Sequence, residues 1–353
     1  MAVTSDFWRG RRVFITGHTG FKGTWLALWL RQLGADVHGY ALPAPDGDSM
    51  WQATGLAALI DTELADIRDA ERLTAAMARQ QPELVLHLAA QPLVRESYRT
   101  PADTWSTNVT GTLNLLQAVR QCDSVRAVLV VTTDKCYDNR EWVWPYREQD
   151  ALGGHDPYSS SKAAVELLCA SWRASFLQTQ GVALATARAG NVIGGGDFAK
   201  DRIIPDCVRA VMKEENIIVR NPFSTRPYQH VLEPLYAYML IAARQYEDRS
   251  MAGCYNVGPD DEGCSRTGEL VDAFCRTWGD GAGWTDQSDG GPHEASFLKL
   301  DCSKTKAAFG WRPVWALDTA IEKTVEWTKC WVSGDNVRQC MERQIEEFVR
   351  LHS

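Results

Sequence analysis

Arg12-Val-Phe-Ile-Thr16 runs straight into Gly17-His-Thr-Gly20-Phe-Lys-Gly23, and a helical pattern through Trp25, Leu28, Trp29 and Leu33 follows. The first five residues have the profile of a buried parallel strand. Gly34 stops the helix, and Asp36-Val-His-Gly-Tyr-Ala-Leu42 reads as a second strand. The glycine spacing is G-x-x-G-x-x-G rather than G-x-G-x-x-G, but the physical demands are similar. Glycines permit a tight turn and close backbone approach, and the helix N-terminus presents free N–H groups to a pyrophosphate. A glycine-rich turn without a ligand is the competing reading, and the strand–turn–helix order argues against it.

The alternation continues. Leu64-Ala-Asp66-Ile67 ends a third extended segment, and Asp69 to Gln80 reads as a helix. Leu84-Val-Leu-His-Leu-Ala-Ala90 is a fourth strand, nearly all apolar, as expected where helices cover both faces of a sheet. Thr104 to Val119 has helical spacing, Ala127 to Thr132 is a fifth strand, and a helix from Tyr158 to about Phe176 precedes a sixth at Val182 to Arg188. Six strands separated by helices predict an α/β fold, a doubly wound parallel sheet of Rossmann type. Ligands bind beyond the carboxyl ends of such strands, where Gly17, Ala89-Ala90 and Thr133 stand. After Gly190 the pattern loosens, with short strands expected at Ile217 to Arg220 and Cys254 to Gly258. We read residues 1–190 as a dinucleotide-binding domain. Residues 191–353 then form mainly a smaller mixed α/β substrate lobe, interleaved with the first domain.

Composition narrows the class. The chain has 353 residues, 45% hydrophobic and 23% charged, with a net charge of -8. That balance argues against nucleic acid or an anionic membrane as the main partner, so a phosphate site must be a local feature. No stretch reaches the roughly 18 apolar residues of a membrane span, and no basic-then-apolar leader opens the chain. The ten cysteines include no C-x-x-C pair, which favours reduced thiols in a cytoplasmic protein. None of the seven histidines forms a close-spaced pair, and no metal site is expected. Most of the fourteen tryptophans are expected in the core or in pocket walls. Asn108-Val-Thr110 matches a glycosylation sequon, which carries little weight in such a chain.

The chemistry centres on Tyr158-Ser-Ser-Ser-Lys162. Four residues apart on a helix, phenol and ammonium leave the same face one turn apart. A tyrosine of pKa about 10 is a poor base at neutral pH, and a fixed ammonium within ~4–6 Å favours its phenolate. Such pairs also occur on solvated helices. Thr133 in Val-Val-Thr-Thr-Asp-Lys, the glycine turn and the strand–helix alternation together point to a dinucleotide enzyme.

These motifs resemble the extended short-chain dehydrogenase/reductase family. His87-Leu-Ala-Ala-Gln-Pro-Leu-Val-Arg95-Glu-Ser-Tyr98, Thr132-Thr-Asp-Lys-Cys-Tyr137, Arg226-Pro-Tyr-Gln-His-Val-Leu-Glu-Pro and Pro292-His-Glu-Ala…Leu-Lys-Leu-Asp301 narrow the resemblance. Within the family they are similar to the nucleotide-sugar 4,6-dehydratases, and among these to the branch acting on CDP-glucose. The resemblance runs from about Phe7 to Trp327 and implies the following. NAD is the cofactor and CDP-glucose the substrate. The product is CDP-4-dehydro-6-deoxy-D-glucose, made by internal hydride transfer in deoxysugar biosynthesis. Tyr158 takes the 4-hydroxyl proton, Lys162 holds the tyrosine ionised and bonds the nicotinamide ribose, and Thr133 shares the 4-oxygen. Asp134 protonates the departing 6-hydroxyl, and Lys135 stands where related branches carry a glutamate as C5 base.

The resemblance also implies binding residues. Cofactor contacts fall on Gly17, Thr19, Gly20, Phe21 and Gly23, on Asp66 and Ile67 at the adenine, and on Leu88, Ala89 and Ala90. Substrate contacts fall on Gln91, Arg95, Ser97, Asn191, Arg202, Arg220, Arg226 and His230, the arginines because guanidinium forks suit phosphate oxygens. No acid directly follows the second strand, where Tyr40-Ala-Leu-Pro stands and Asp46 and Asp48 come later. NAD over NADP therefore rests on the resemblance. His87 reads as a hydrogen-bonded core residue and Cys136 as packing. The helices Thr104–Val119 and Ala163–Phe176 carry more apolar positions than one buried face needs, including Leu115, Leu116, Leu167 and Leu168. A homodimer or higher homo-oligomer is expected. A nucleotide-sugar 4-epimerase is the runner-up, and a non-catalytic NAD-binding sensor the alternative of another class.

Overall fold

The computed structural model describes residue 3 and residues 5–260, 263–287 and 297–352. Residues 292–295, part of one stretch behind the resemblance, lie outside the described residues. The six expected strands are present as β1 (Arg12–Thr16), β2 (Asp36–Ala41), β3 (Asp61–Leu64), β4 (Leu84–His87), β5 (Ala127–Thr133) and β6 (Ala183–Ala189). Beyond them come β7 (Asn191–Ile193), β8 (Ile217–Val219), β9 (Thr225–His230), β10 (Cys254–Val257), β11 (Cys264–Arg266) and β12 (Trp284–Asp286).

The main sheet has seven parallel strands in the order β10-β6-β5-β4-β1-β2-β3. β10 corrects the expectation that Cys254 to Gly258 belongs to the lobe. It pairs with β6, Cys254 against Thr186, and adds a seventh strand to the first sheet. A short apolar run looks the same from sequence whichever sheet receives it. β3 also stops earlier than expected. Asp66 accepts the Arg68 N–H at 2.8 Å, and that turn ends the extended backbone.

Helices follow their local signals, with two departures. Asp156 caps Pro157–Trp172 by accepting the Ser159 N–H at 2.9 Å, and Pro157 opens the first turn. A π-type turn at Arg173–Leu177 then carries the coil on. The expected helix Thr104–Val119 is two helices, Pro101–Trp105 and Gly111–Arg120, joined by a π-type turn at Ser106–Thr110. That turn points Asn108 inward, where it accepts from Gln91 N at 2.8 Å and donates to Ser161 Oγ at 2.9 Å. The sequon asparagine is thus a buried structural group.

The helix Phe21–Gln32 is buried nearly all round, from Trp25 through Leu30. Such a helix needs cover on every side. Part of it comes from the far end of the chain. Trp29 packs on Tyr236 of the helix Leu232–Glu247 and on Phe348 of the helix Val337–Arg350. Trp8, Trp51, Trp311, Trp315 and Trp327 are likewise buried, whereas Trp105, Trp142 and Trp144 are exposed.

Beneath the helix Pro157–Trp172 lies a buried ion pair, Arg188 to Glu166 at 2.8 Å. Glu166 also accepts from the Thr132 hydroxyl and, at 2.8 Å, from Thr186. Arg188 donates onward to the Tyr137 hydroxyl and the Glu148 carbonyl. Removing one partner of a buried pair leaves an uncompensated charge, at about 3–5 kcal/mol. Arg188→Leu is expected to destabilise the fold by that amount in denaturant unfolding. A double Glu166→Leu/Arg188→Leu chain should recover much of it. A single variant within about 1 kcal/mol of wild type would contradict this role.

Candidate active site

A cavity of about 880 Å³ opens at the carboxyl ends of the strands, between the main sheet and the lobe. Gly17 leaves β1 with φ +77°, and a Cβ there would lie 2.7 Å from Ala89 N. A Cβ at Gly23 would lie 2.1 Å from the Gly17 carbonyl oxygen. Both positions therefore require glycine. Gly20 precedes the helix Phe21–Gln32 without a side-chain cap and lines the cavity, so the first N–H groups are left for a ligand. A Cβ at Gly20 would meet only the Gly17 carbonyl oxygen, at 3.5 Å, which leaves a cradle suited to a pyrophosphate. Thr19, Phe21, Asp66, Ile67, Leu88, Ala89 and Ala90 complete this wall. Asp46 and Asp48 do not line it.

At the centre, β5 ends in Thr133, and the next residues turn sharply at Asp134–Cys136. Thr133 donates to Asp134 Oδ1 at 3.0 Å. Asp134 is fully buried, and its Oδ2 has no hydrogen-bond partner among the described residues. That oxygen would lie 3.3 Å from a Cβ at Gly190, a residue in the cavity wall. Lys135 reaches Asn191 Oδ1 at 3.4 Å and Asp134 Oδ1 at 3.7 Å.

Tyr158 and Lys162 line the same cavity from the facing helix. Burial pushes the Tyr158 phenol up to about 12, against the opposing pull of the Thr133 hydroxyl and the Arg202 guanidinium. Lys162 donates to the Val131 carbonyl at 3.2 Å, and burial lowers it to about 8. Arg202, 44 residues beyond Tyr158 in the chain, is a cation that pulls its phenol down.

The match to known proteins decides the family. Residues 14–324 match the family described as GDP-mannose 4,6 dehydratase. The chain belongs to that family. It is 48% identical over 353 residues to CDP-glucose 4,6-dehydratase of Salmonella typhimurium, covering 98% of each chain. Solved structures share the fold, among them the following two. The UDP-glucose-4-epimerase of Stenotrophomonas maltophila has a TM-score of 0.80 at 24% identity, over 92% of this chain and 99% of that one. The dTDP-glucose 4,6-dehydratase of Bacillus anthracis has a TM-score of 0.78 at 17% identity, with the same coverage.

Within this GDP-mannose 4,6 dehydratase family member, two of the four arginines expected at the substrate are held by aspartates. Arg202 pairs with Asp197 at 3.0 Å, and Arg220 with Asp201 at 3.1 Å and Asp206 at 2.7 Å. Arg95, Asn191 and Arg226 also line the cavity. Three expected substrate contacts do not. Gln91 spends its amide on Leu93 and Thr104, fixing the loop after β4. Ser97 is buried and bonds back to the Val94 carbonyl at 2.6 Å. His230 is buried between Trp25 and Trp315. His87 is the core residue expected, bonded to Thr16 and Thr112, and burial lowers it to about 3. Cys136 is buried and its thiol is pushed well up by burial, as a packing residue should be.

Lys22 escaped the sequence reading. It lines the cavity, faces the Tyr238 ring at 5.9 Å, and is lowered to about 7 by burial and then by Arg202 and Lys162. The available signal was a charge at the head of a helix that is apolar from Trp25 to Leu30. Gly23→Ala tests the cradle. Its Cβ meets backbone rather than a yielding side chain, and overpacking of that kind costs roughly 1–3 kcal/mol. A lower melting temperature and weaker dinucleotide binding are expected together. Native values for both, by thermal unfolding and calorimetry, would remove the close approach from the argument.

Proposed function

We propose that this chain converts CDP-D-glucose to CDP-4-dehydro-6-deoxy-D-glucose and water, as a hydro-lyase with NAD as cofactor. The observation that carries this reading is the meeting of Thr133, Lys135, Tyr158 and Lys162 in one cavity, with Asp134 directly behind its wall. The 48% identity to a CDP-glucose 4,6-dehydratase over nearly the whole chain supports the nucleotide and the sugar. Thr19, Gly20, Phe21, Asp66, Ile67 and Lys162 would hold NAD, which when bound supplies the redox equivalents that oxidise C4 and later reduce C6.

The residues divide the remaining work. Tyr158 removes the 4-hydroxyl proton, sharing the oxygen with Thr133. Arg202 lies on the side that favours the phenolate. A ketone at C4 acidifies the C5 proton, so the next step is an elimination. Lys135 takes that proton, and Asp134 gives one to the departing 6-hydroxyl, releasing water. The two groups lie 3.7 Å apart. Lys135 returns its proton to C5 when C6 is reduced, and the proton that Tyr158 took passes to Asp134, which resets the site. An epimerase needs no such pair.

We also propose a homodimer or higher homo-oligomer. Leu115 and Leu116 prove to face the core, but Leu167 and Trp105 are exposed on the two helical segments. Ten free thiols support a cytoplasmic location.

Two measurements follow. Asp134→Asn or Lys135→Met with CDP-glucose should accumulate reduced-nicotinamide absorbance that persists, with little dehydrated product. Tyr158→Phe should accumulate none and lose roughly 10²–10⁴ in kcat, the usual scale of general acid–base catalysis. Native dehydration by both Asp134 and Lys135 variants, without accumulation, would refute the elimination roles. Separately, light scattering at micromolar concentration should give at least twice the chain mass of 39.4 kDa. A monomer there would contradict the assembly.

A further inference from the structure

The lobe contributes a wall of the cavity that the dehydration chemistry leaves unused. β8 and β12 pair in parallel with Val219 opposite Asp286, and the Gln287 N–H donates to the Val219 carbonyl at 3.0 Å. The chain leaves β8 through Arg220-Asn-Pro-Phe-Ser224, and this loop and Asp286 line the same cavity as Tyr158. With the hexose at Tyr158, the diphosphate at Arg202 and Arg226, and the cofactor along β1 to β3, this wall is what remains for the nucleoside.

Two side chains there stand uncommitted. Phe223 is 73% exposed, an aromatic face with no cover. The Asp286 carboxylate makes no hydrogen bond among the described residues, although it sits at the edge of a strand pair. Arg220 is already held by Asp201 and Asp206, so its charge is committed away from Asp286. An ionised carboxylate only accepts hydrogen bonds.

We propose that Phe223 and Asp286 form a nucleobase subsite that selects bases bearing an exocyclic amine, cytosine among the pyrimidines. This rests on the nucleotide-sugar reading and deepens it. The ring stacks on the base whatever its identity, since every base has a π-face. The carboxylate supplies the discrimination. Cytosine presents an amine donor at its 4-position, which aspartate accepts, whereas uracil and thymine present a carbonyl there. Carboxylate against carbonyl opposes two acceptors, so the wrong base is repelled as well as unrewarded.

The test uses the full chain and free nucleotides. Calorimetry with CDP and with UDP on wild type should show CDP bound more tightly by about 10–100-fold, the scale of one specific base contact. Asp286→Ala should bring the two affinities together, mainly by weakening CDP. Asp286→Asn, whose amide also donates, should strengthen UDP. Phe223→Ala should weaken both nucleotides to a similar degree. An Asp286→Ala protein that keeps the wild-type ratio, or a Phe223→Ala protein that binds both nucleotides as wild type does, overturns the subsite. Turnover of CDP-glucose by the same wild-type preparation reads the dehydratase assignment separately. Dehydration with no role for Asp286 sinks the subsite alone. Asp286-dependent CDP preference without dehydration sinks the reaction alone.

Discussion

The buried pair Glu166–Arg188 is the constraint on which the site depends. Glu166 follows Lys162 by four residues and Tyr158 by eight, so all three project from one face of the helix. Its carboxylate is tied to Thr132 on β5 and to Thr186 and Arg188 on β6. Thr132 immediately precedes Thr133, the hydroxyl that acts on Tyr158. Arg188 continues the chain of contacts to Tyr137, and Tyr137 donates to Asn256 on β10 at 2.7 Å. One network therefore sets the roll and depth of the catalytic helix against three adjacent strands. Buried ion pairs add little net stability over apolar packing. What this one contributes is position.

A second constraint is charge. The chain carries a net -8, yet Lys22, Arg95, Lys135, Lys162, Arg202 and Arg226 all line one cavity. Cations gathered this closely repel, and burial sharpens the repulsion. Lys22, lowered first by burial and then by Arg202 and Lys162, records it. Asp134, Asp197, Asp201 and Asp206 answer it with paired carboxylates. A diphosphate entering the cavity meets arginines already oriented by those aspartates. The acidic balance of the whole chain and an anion site are thus compatible, because the positive field is local.

How much of this was legible in the sequence depends on the range of the cause. The glycine turn, the six strands and the Tyr158–Lys162 offset are local, so periodicity and residue type reveal them. The seventh strand was misplaced because pairing with β6 is a long-range choice that its four residues do not encode. The π-type turn at Ser106–Thr110 was missed because its sequence keeps ordinary helical spacing; its cause is the inward anchoring of Asn108. β9 shows the limit most clearly. Arg226, Tyr228 and His230 share one face of the strand by alternation, and the first two do line the cavity. His230 lies further along that face, past the cavity and between two tryptophans. Alternation selects a face but not a depth.

Depth also bears on the three different roles proposed for three consecutive residues. Had β5 continued, Thr133 and Lys135 would share one face and Asp134 the other. Instead Thr133 stays extended, with φ -148° and ψ 156°, and the chain then turns through Asp134–Cys136. The turn sends Thr133 toward Tyr158, Asp134 inward toward Gly190, and Lys135 to Asn191. Oxidation and elimination need a proton acceptor at C4, another at C5 and a proton donor at C6, close together yet not interchangeable. A strand end followed by a tight turn supplies that arrangement from adjacent positions. Gly190 completes it, because a Cβ there would crowd Pro227 at 2.7 Å and Asp134 Oδ2 at 3.3 Å in the cavity wall.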